Sequence, residues 1–419
     1  MGSTPIHSRL ILYGTFVDEM ENATENTIEI ATRLVRQYFY IDDSTAGTQK
    51  DTFLVRYRGH LVTPDSEKAY DQLSASLKPY EITPLFRLEN KQQVIYLISG
   101  VIQPNRSKPI VNMILFIVTF ISVLLTGGLN SFTEDLPTDP ILIIWTLIKA
   151  GWPFAVSMIA ILAAHEFGHY FAGRFHGTQV TLPYFIPLPL SAFGTMGAFI
   201  NMKEPPKNRN VLLDIGIAGP LSGLIVAIPV LFIGLKLSSL SVLPAAASPD
   251  TLVQLEGNSI LYLFMKYLVF GKFLPEPASF GNLPALLYWI RYFFTGTPIP
   301  FGGIDVSLHQ VAWAGWGGLL VTALNLIPAG QLDGGHILYV LFGKKAQKVV
   351  PFIIGAMILL GFFWIGWWLW VLIILFVGRT HAEPLDQITP LDKRRKFLAV
   401  LTLIIFVLIF TPTPINLMV

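Results

Sequence analysis

The chain has 419 residues and a formal net charge of +2, and it is 53% hydrophobic but only 13% charged, with a mean hydropathy of +0.57. A soluble protein of this size carries about a quarter charged residues, so the composition excludes an ordinary soluble globule and places the chain among polytopic membrane proteins. The small net charge gives no reason to invoke nucleic acid. The lack of Cys excludes disulfides, thiolate catalysis and Cys-ligated metal, and leaves the compartment open.

Residues 1–20 mix polar and apolar side chains and hold no signal-peptide core. Residues 1–105 read as a small soluble α+β domain. Thr27–Phe39 has helical spacing, with Ile28, Ala31, Leu34 and Val35 on one face. Phe53–Leu61 alternates like a strand, and Asp65–Leu77 follows Pro64 as a helix. Ile82–Leu88 and Val94–Ile102 read as strands parted by the polar turn Glu89–Gln93. No motif in this domain points to chemistry. Pro104–Pro109 is the linker.

Membrane segments follow, in a core over residues 106–395 and a C-terminal transmembrane helix over 396–419. Ile110–Leu129 is uncharged and long enough to cross ~30 Å of hydrocarbon. Ile141–Ala164 is interrupted by Lys149 and Pro153. Ile215–Leu235 carries Gly219 and Gly223 at a small-xxx-small spacing that permits close helix contact. Val306–Gly330, Val349–Gly378 and Phe397–Val419 complete a count of about six to seven spans. Leu261–Phe294 is apolar but broken by Lys, Pro and Gly, and reads as interfacial helices or a partial re-entry. Lys and Arg set the orientation. Arg106, Lys108, Arg174, Lys203, Lys207, Arg209, Lys344, Lys345, Lys348, Arg379 and Lys393–Lys396 fall on one side; Lys236, Lys266, Lys272 and Arg291 fall on the other. The first side, with the N-terminal domain, is assigned as cytoplasmic or stromal. Parity then requires Val349–Gly378 to leave and return, which favours a hairpin of short helices over one tilted span.

The chemistry centres on Ala164–Tyr170, AHEFGHY. His165 and His169 are four apart and share a helical face, so both imidazoles can reach one metal ion. Glu166 is placed to take a proton from water activated there. Ionisable groups inside a membrane cost about 2.5–3.5 kcal/mol each, so they rarely sit there idle. Two imidazoles leave a tetrahedral catalytic zinc one protein ligand short. Asp333, in Asn325–His336, NLIPAGQLDGGH, is the candidate third ligand. It follows an apolar span broken by Pro328 and Gly330, and such a break is tolerated where backbone lines a cavity. Asp333 alone would also suit a helix N-cap. Asn325 supplies a neutral hydrogen-bonding group just before the break.

HEFGH and NLIPAGQLDG resemble HExxH and NxxPxxxLDG, the paired motifs of the site-2 protease family of intramembrane zinc metalloproteases, and match at every fixed position. The resemblance covers roughly residues 110–380. It implies Zn2+ held by His165, His169 and Asp333, Glu166 as general base and acid, and Asn325 as a substrate-positioning residue. Pro183–Ile200 looks like the family's re-entrant β segment. A soluble N-terminal domain and the tail at 380–396 are similar to cyanobacterial and plastid-type members. No PDZ-like insertion of usual size is apparent.

The expected protein is therefore a polytopic α-helical membrane protein with a re-entrant β segment, cleaving peptide bonds in or near transmembrane segments of other proteins within a bacterial cell membrane or a thylakoid or plastid membrane. A peptide bond inside a helix is shielded, and unwinding it in lipid strands backbone polar groups. An extended edge can re-pair them by strand addition, and Gly194, Thr195, Met196 and Gly197 in GTMGAFI are the candidate residues. Rival readings are a metal-ion transporter using the same ligands and a catalytically inactive scaffold. Substrate identity, trigger and oligomeric state are not written in the sequence.

Overall fold

The computed structural model describes residues 26–48, 50–101, 108–131, 137–246, 253–377 and 383–418. Residues 1–20, most of the linker, Ile102, residues 132–136, Gly378, Arg379 and the first residues of the 380–396 tail lie outside them. The chain divides into two compact units, and each is taken by itself.

The first unit starts with helix α1 over residues 26–36. It continues through β1 (Phe39–Ala46), β2 (Val55–Leu61), α2 (Ser66–Leu77), β3 (Ile82–Glu89) and β4 (Gln92–Ser99). The four strands form an antiparallel sheet in the order β1-β2-β4-β3. Asp65 caps α2, its carboxylate accepting the Lys68 N–H at 3.0 Å. Ala31 and Val35 of α1 and Ala69 and Leu73 of α2 bury against Tyr57, Phe86 and Ile95 of the sheet. β1 was not anticipated. Its sequence, FYIDDSTA, breaks alternation with two acids and is mostly exposed, as an edge strand allows.

The same unit takes in Glu204–Arg209 and Glu383–Pro390. Phe86 of β3 donates its N–H to Leu385 O at 2.9 Å and accepts from Gln387 N at 3.0 Å. Asp386 N donates in turn to Lys207 O at 2.7 Å. The sheet is thus extended from its β3 edge by two segments far along the chain.

The second unit holds α3 (Pro109–Leu129), α4 (Pro140–Phe175) and α5 (Arg209–Leu237), the three helices among the described residues that are long and apolar enough to cross a membrane. The chain is a helical membrane protein carrying a small α+β unit. α4 does not stop at Ala164; it runs through the motif to Phe175, so HEFGH lies inside the helix. Between α4 and α5 stand β5 (Tyr184–Pro187) and β6 (Thr195–Phe199), an antiparallel hairpin. After α5 come β7 (Ser239–Val242), β8 (Val253–Glu256), α6 (Ile260–Phe270), α7 (Ala285–Thr295) and β9 (Ile304–Ser307). β7 pairs with β9.

The expected span Val306–Gly330 is shorter in the structure. β9 takes its first residues, and helix α8 runs only Gln310–Asn325, 16 residues. That is roughly 24 Å, short of a hydrocarbon core of ~30 Å. α9 (Asp333–Phe342) follows the break. Val349–Gly378 contains two helices, α10 (Val350–Gly361) and α11 (Gly366–Val377), packed on each other. The helix expected over 396–419 is also corrected. α12 covers Lys393–Ile409, and Pro412 and Pro414 follow its end. Ile415–Met418 then forms β10, paired with β8.

Candidate metal centre

His165, Glu166 and His169 project from α4, Asp333 opens α9, and Asn325 closes α8. The three α4 residues are buried. The N-cap of α9 is Leu332, with no side-chain cap, so Asp333 is not spent on the helix end. Its Oδ2 lies 3.3 Å from His165 Nε2 and 3.3 Å from His169 Nε2, and the two Nε2 atoms are 3.3 Å apart. His169 Nδ1 lies 2.7 Å from the Ile215 carbonyl oxygen. Donation there leaves the Nε2 lone pair facing the cluster.

Three lone-pair donors converging this closely repel one another unless a cation sits among them. A tetrahedral ion with bonds of ~2.0–2.1 Å has ligand-to-ligand edges of about 3.3–3.4 Å. The observed triangle has that size, so the donor set fits a zinc ion. Among the described residues it is the one group of three or more His, Cys, Asp or Glu close enough to share a metal. Glu166 interacts electrostatically with all three donors. Asn325 Nδ2 stands 3.3 Å from His165 Nε2.

α5 makes room for both rings. An ideal Cβ on Gly219 would lie 2.0 Å from His169 Nε2, and one on Gly223 would lie 3.2 Å from His165 Cβ and Nδ1. The spacing read as helix packing is therefore also a mould for the imidazoles. Nothing in the sequence marked the Ile215 carbonyl, because a backbone acceptor has no residue signature.

Gly194, Thr195, Met196 and Gly197 are not in this cluster; they belong to the β5–β6 hairpin. Gly194 has φ +72°, its carbonyl accepts from Ser122 Oγ at 2.6 Å, and an ideal Cβ there would sit 2.7 Å from Val123 Cα. Thr195 is buried and its Oγ1 donates to Ile186 O at 2.8 Å. Met196 is 60% exposed, and a Cβ on Gly197 would meet nothing. Gly194 and Thr195 thus anchor the hairpin and Met196 faces outward, while Gly197 is itself buried although a Cβ there would meet open space.

His176, at the C-terminal end of α4, is paired. Its Nε2 lies 2.8 Å from Asp214 Oδ2, and Arg395 Nε donates to Asp214 Oδ1 at 2.8 Å. This network joins the C-terminal end of α4 to the first turns of α5 and α12. Asp214, a lone acid at the head of an apolar span, was the available signal.

Residues 153–365 match the model of peptidase family M50. The chain is 31% identical over 287 residues to the probable zinc metalloprotease EGY1, chloroplastic, of Arabidopsis thaliana, covering 67% of this chain and 47% of that protein. It is 30% identical over 321 residues to the protein of the same name from Oryza sativa subsp. japonica, covering 70% and 50%. It is 28% identical over 271 residues to the probable zinc metalloprotease EGY2, chloroplastic, of Arabidopsis thaliana, covering 64% and 43%. The chain spans about half the length of the curated relatives it matches. No solved structure matches.

Proposed function

Because the chain belongs to peptidase family M50, the site-2 protease family, we propose that it is an intramembrane zinc metalloendopeptidase hydrolysing peptide bonds in or near transmembrane segments of membrane proteins. The observation that carries this reading is the donor triangle of the buried His165 and His169 with the partly buried Asp333, and Glu166 beside it. His165, His169 and Asp333 would hold the zinc, which when bound supplies Lewis acidity toward a peptide carbonyl and toward water. Glu166 takes a proton from the attacking water and delivers it to the leaving amine. The Ile215 carbonyl keeps His169 in one tautomer. Were the His165 lone pair to bind the metal, the Asn325 amide, 3.3 Å from it, would be left to donate to substrate. The transporter and scaffold readings make no use of Glu166.

The hairpin β5–β6 is the proposed re-entrant segment, and its β6 strand, with Met196 exposed and Gly197 carrying no side chain, is the proposed edge on which an unwound substrate would pair. The proposed setting is a plastid-type membrane, consistent with the chloroplastic relatives. The α+β unit then lies on the stromal or cytoplasmic side. α8, α10, α11 and α12 would add to the three long helices for a total of six to seven membrane passages.

The test is reconstitution with zinc and a membrane-spanning substrate. Glu166→Gln should retain about one zinc per chain and lose cleavage. Cleavage that persists in the folded, metallated variant would overturn the assignment.

A further inference from the structure

Between α5 and α8 lies a second group of buried charges that the proposed chemistry does not use. Lys266 on α6 is 0% exposed, Glu256 at the end of β8 is 5% exposed and Asp305 in β9 is 1% exposed. Lys266 Nζ lies 3.4 Å from Glu256 Oε1, 3.8 Å from Asp305 Oδ1 and 4.4 Å from the centroid of the Tyr262 ring. Tyr262 donates its hydroxyl to Glu256 Oε1 at 2.8 Å. Asp305 Oδ1 accepts from Val306 N at 2.8 Å, whereas its buried Oδ2 has no hydrogen-bond partner.

The charges do not balance when both acids are ionised, because one ammonium faces two carboxylates. Glu256 has two donors on one oxygen and is the ionic partner of Lys266. Asp305 is the surplus acid. An unpaired buried charge costs far more than an unpaired neutral group. The other titratable groups facing Asp305 are Glu256 from β8, Lys266 and Tyr262 from α6 and Tyr292 from α7, with Tyr288 behind Tyr292. Burial raises all three tyrosine hydroxyls above their usual range, so they stay neutral near pH 7. Burial likewise pushes the Asp305 carboxyl up to about 7; Lys266 opposes the rise and Glu256 adds to it.

The cluster sits at a junction. β8 pairs with the C-terminal strand β10, β9 pairs with β7, and α6 bridges the two ribbons through Lys266. β9 also leads directly into α8, whose last residue is Asn325.

We propose that Glu256, Lys266 and Asp305 form an acid-closed latch: with a proton on Asp305 the cluster is neutral and holds the two ribbons together, and loss of that proton leaves an unbalanced buried negative charge that loosens them. The folded carboxyl binds its proton more tightly than the unfolded one. The latch contribution is therefore complete below the ordinary Asp value of about 3.9. It is lost as pH rises toward about 7.

Hydrogen exchange of the full chain in lipid nanodiscs, read by mass spectrometry and corrected for intrinsic exchange rates, tests this. Opening of peptides covering 253–267 and 299–308 should rise by up to about tenfold per pH unit between pH 5 and 7 and level off above. Asp305→Asn should abolish that pH dependence. Glu256→Gln leaves Asp305 as the sole counter-ion of Lys266 and should move the transition to lower pH, a readout that survives if Asp305→Asn does not fold. Equal pH profiles in wild type and Asp305→Asn, or an unmoved transition in Glu256→Gln, would overturn the latch.

Discussion

Replacing Gly219 by Ala puts a methyl group where the His169 ring now sits. The added Cβ would lie 2.0 Å from Nε2, 2.3 Å from Cδ2 and 2.5 Å from Cε1. Ordinary contact begins near 3.5 Å, so the ring must withdraw by about 1.5 Å. It is held at both nitrogens, at 2.7 Å from Ile215 O on one side and 3.3 Å from His165 Nε2 and Asp333 Oδ2 on the other. A displacement of that size is comparable with a zinc–nitrogen bond of ~2.0–2.1 Å, and it takes His169 out of the donor set. Losing a group that merely orients a ligand costs 10–100-fold in metal affinity, so losing the ligand should exceed about 100-fold, or about 2.8 kcal/mol. Gly223→Ala is the control. Its Cβ meets His165 at 3.2 Å, so a shift of a few tenths of an ångström relieves it, and the loss should stay under about tenfold. Zinc per chain across a chelator series, with circular dichroism and thermal melting to verify folding, reads both. A folded Gly219→Ala that matches wild type throughout the series would refute the mould.

Three further outcomes follow from the same geometry. Asp333→Ala should lose zinc; full occupancy in that variant would place the third ligand elsewhere. Arg395→Ala removes the two guanidinium donors from Asp214, leaving it His176, and should cost about 1 kcal/mol, because charged hydrogen bonds of about 1.5–3 kcal/mol are discounted for partial exposure. An SDS-unfolding cycle with Asp214→Asn measures the coupling, and a value of zero would make the pair idle. The proposed orientation predicts that single cysteines introduced at Ser44 and Lys345 of this Cys-free chain resist an impermeant thiol reagent in sealed membranes, and labelling of either would reverse the topology.

Much of the site was legible because its parts obey local rules. His165 and His169 share a face by helical period alone, and Pro328 with Gly330 marked the interruption between α8 and α9. Asp333 lies far along the chain, so only the pairing of two motifs linked it to HEFGH. What stayed hidden acts through backbone or through space. The Ile215 carbonyl carries no signature in a residue's name. Gly219 looked like a helix-contact residue, although the atom it spares is His169 Nε2. The pairing of His176 with Asp214 links residues on two helices and shows only in the fold.

The fold failed to be legible where partners are remote. Periodicity reports which face a segment buries, not what it buries against, so it located α3, α4 and α5 and missed β10, whose pairing strand lies at 253–256. The α+β unit is the sharper case. An unpaired sheet edge invites pairing with another chain, and the outer edge of β3 escapes this because Leu385 and Gln387 hydrogen-bond to Phe86. Asp386 then carries the ladder on to Lys207, whose ammonium lies 2.8 Å from Glu67 and 2.7 Å from Asp71. Ser66 and Thr389 share a buried hydroxyl contact at 2.6 Å. In the sequence, Pro384–Pro390 registered only as part of a tail typical of plastid-type relatives. In the folded unit it bridges to Phe86 at the outer edge of β3, so that edge is covered by chain that follows Asp333, and a fragment ending at 105 would leave it bare.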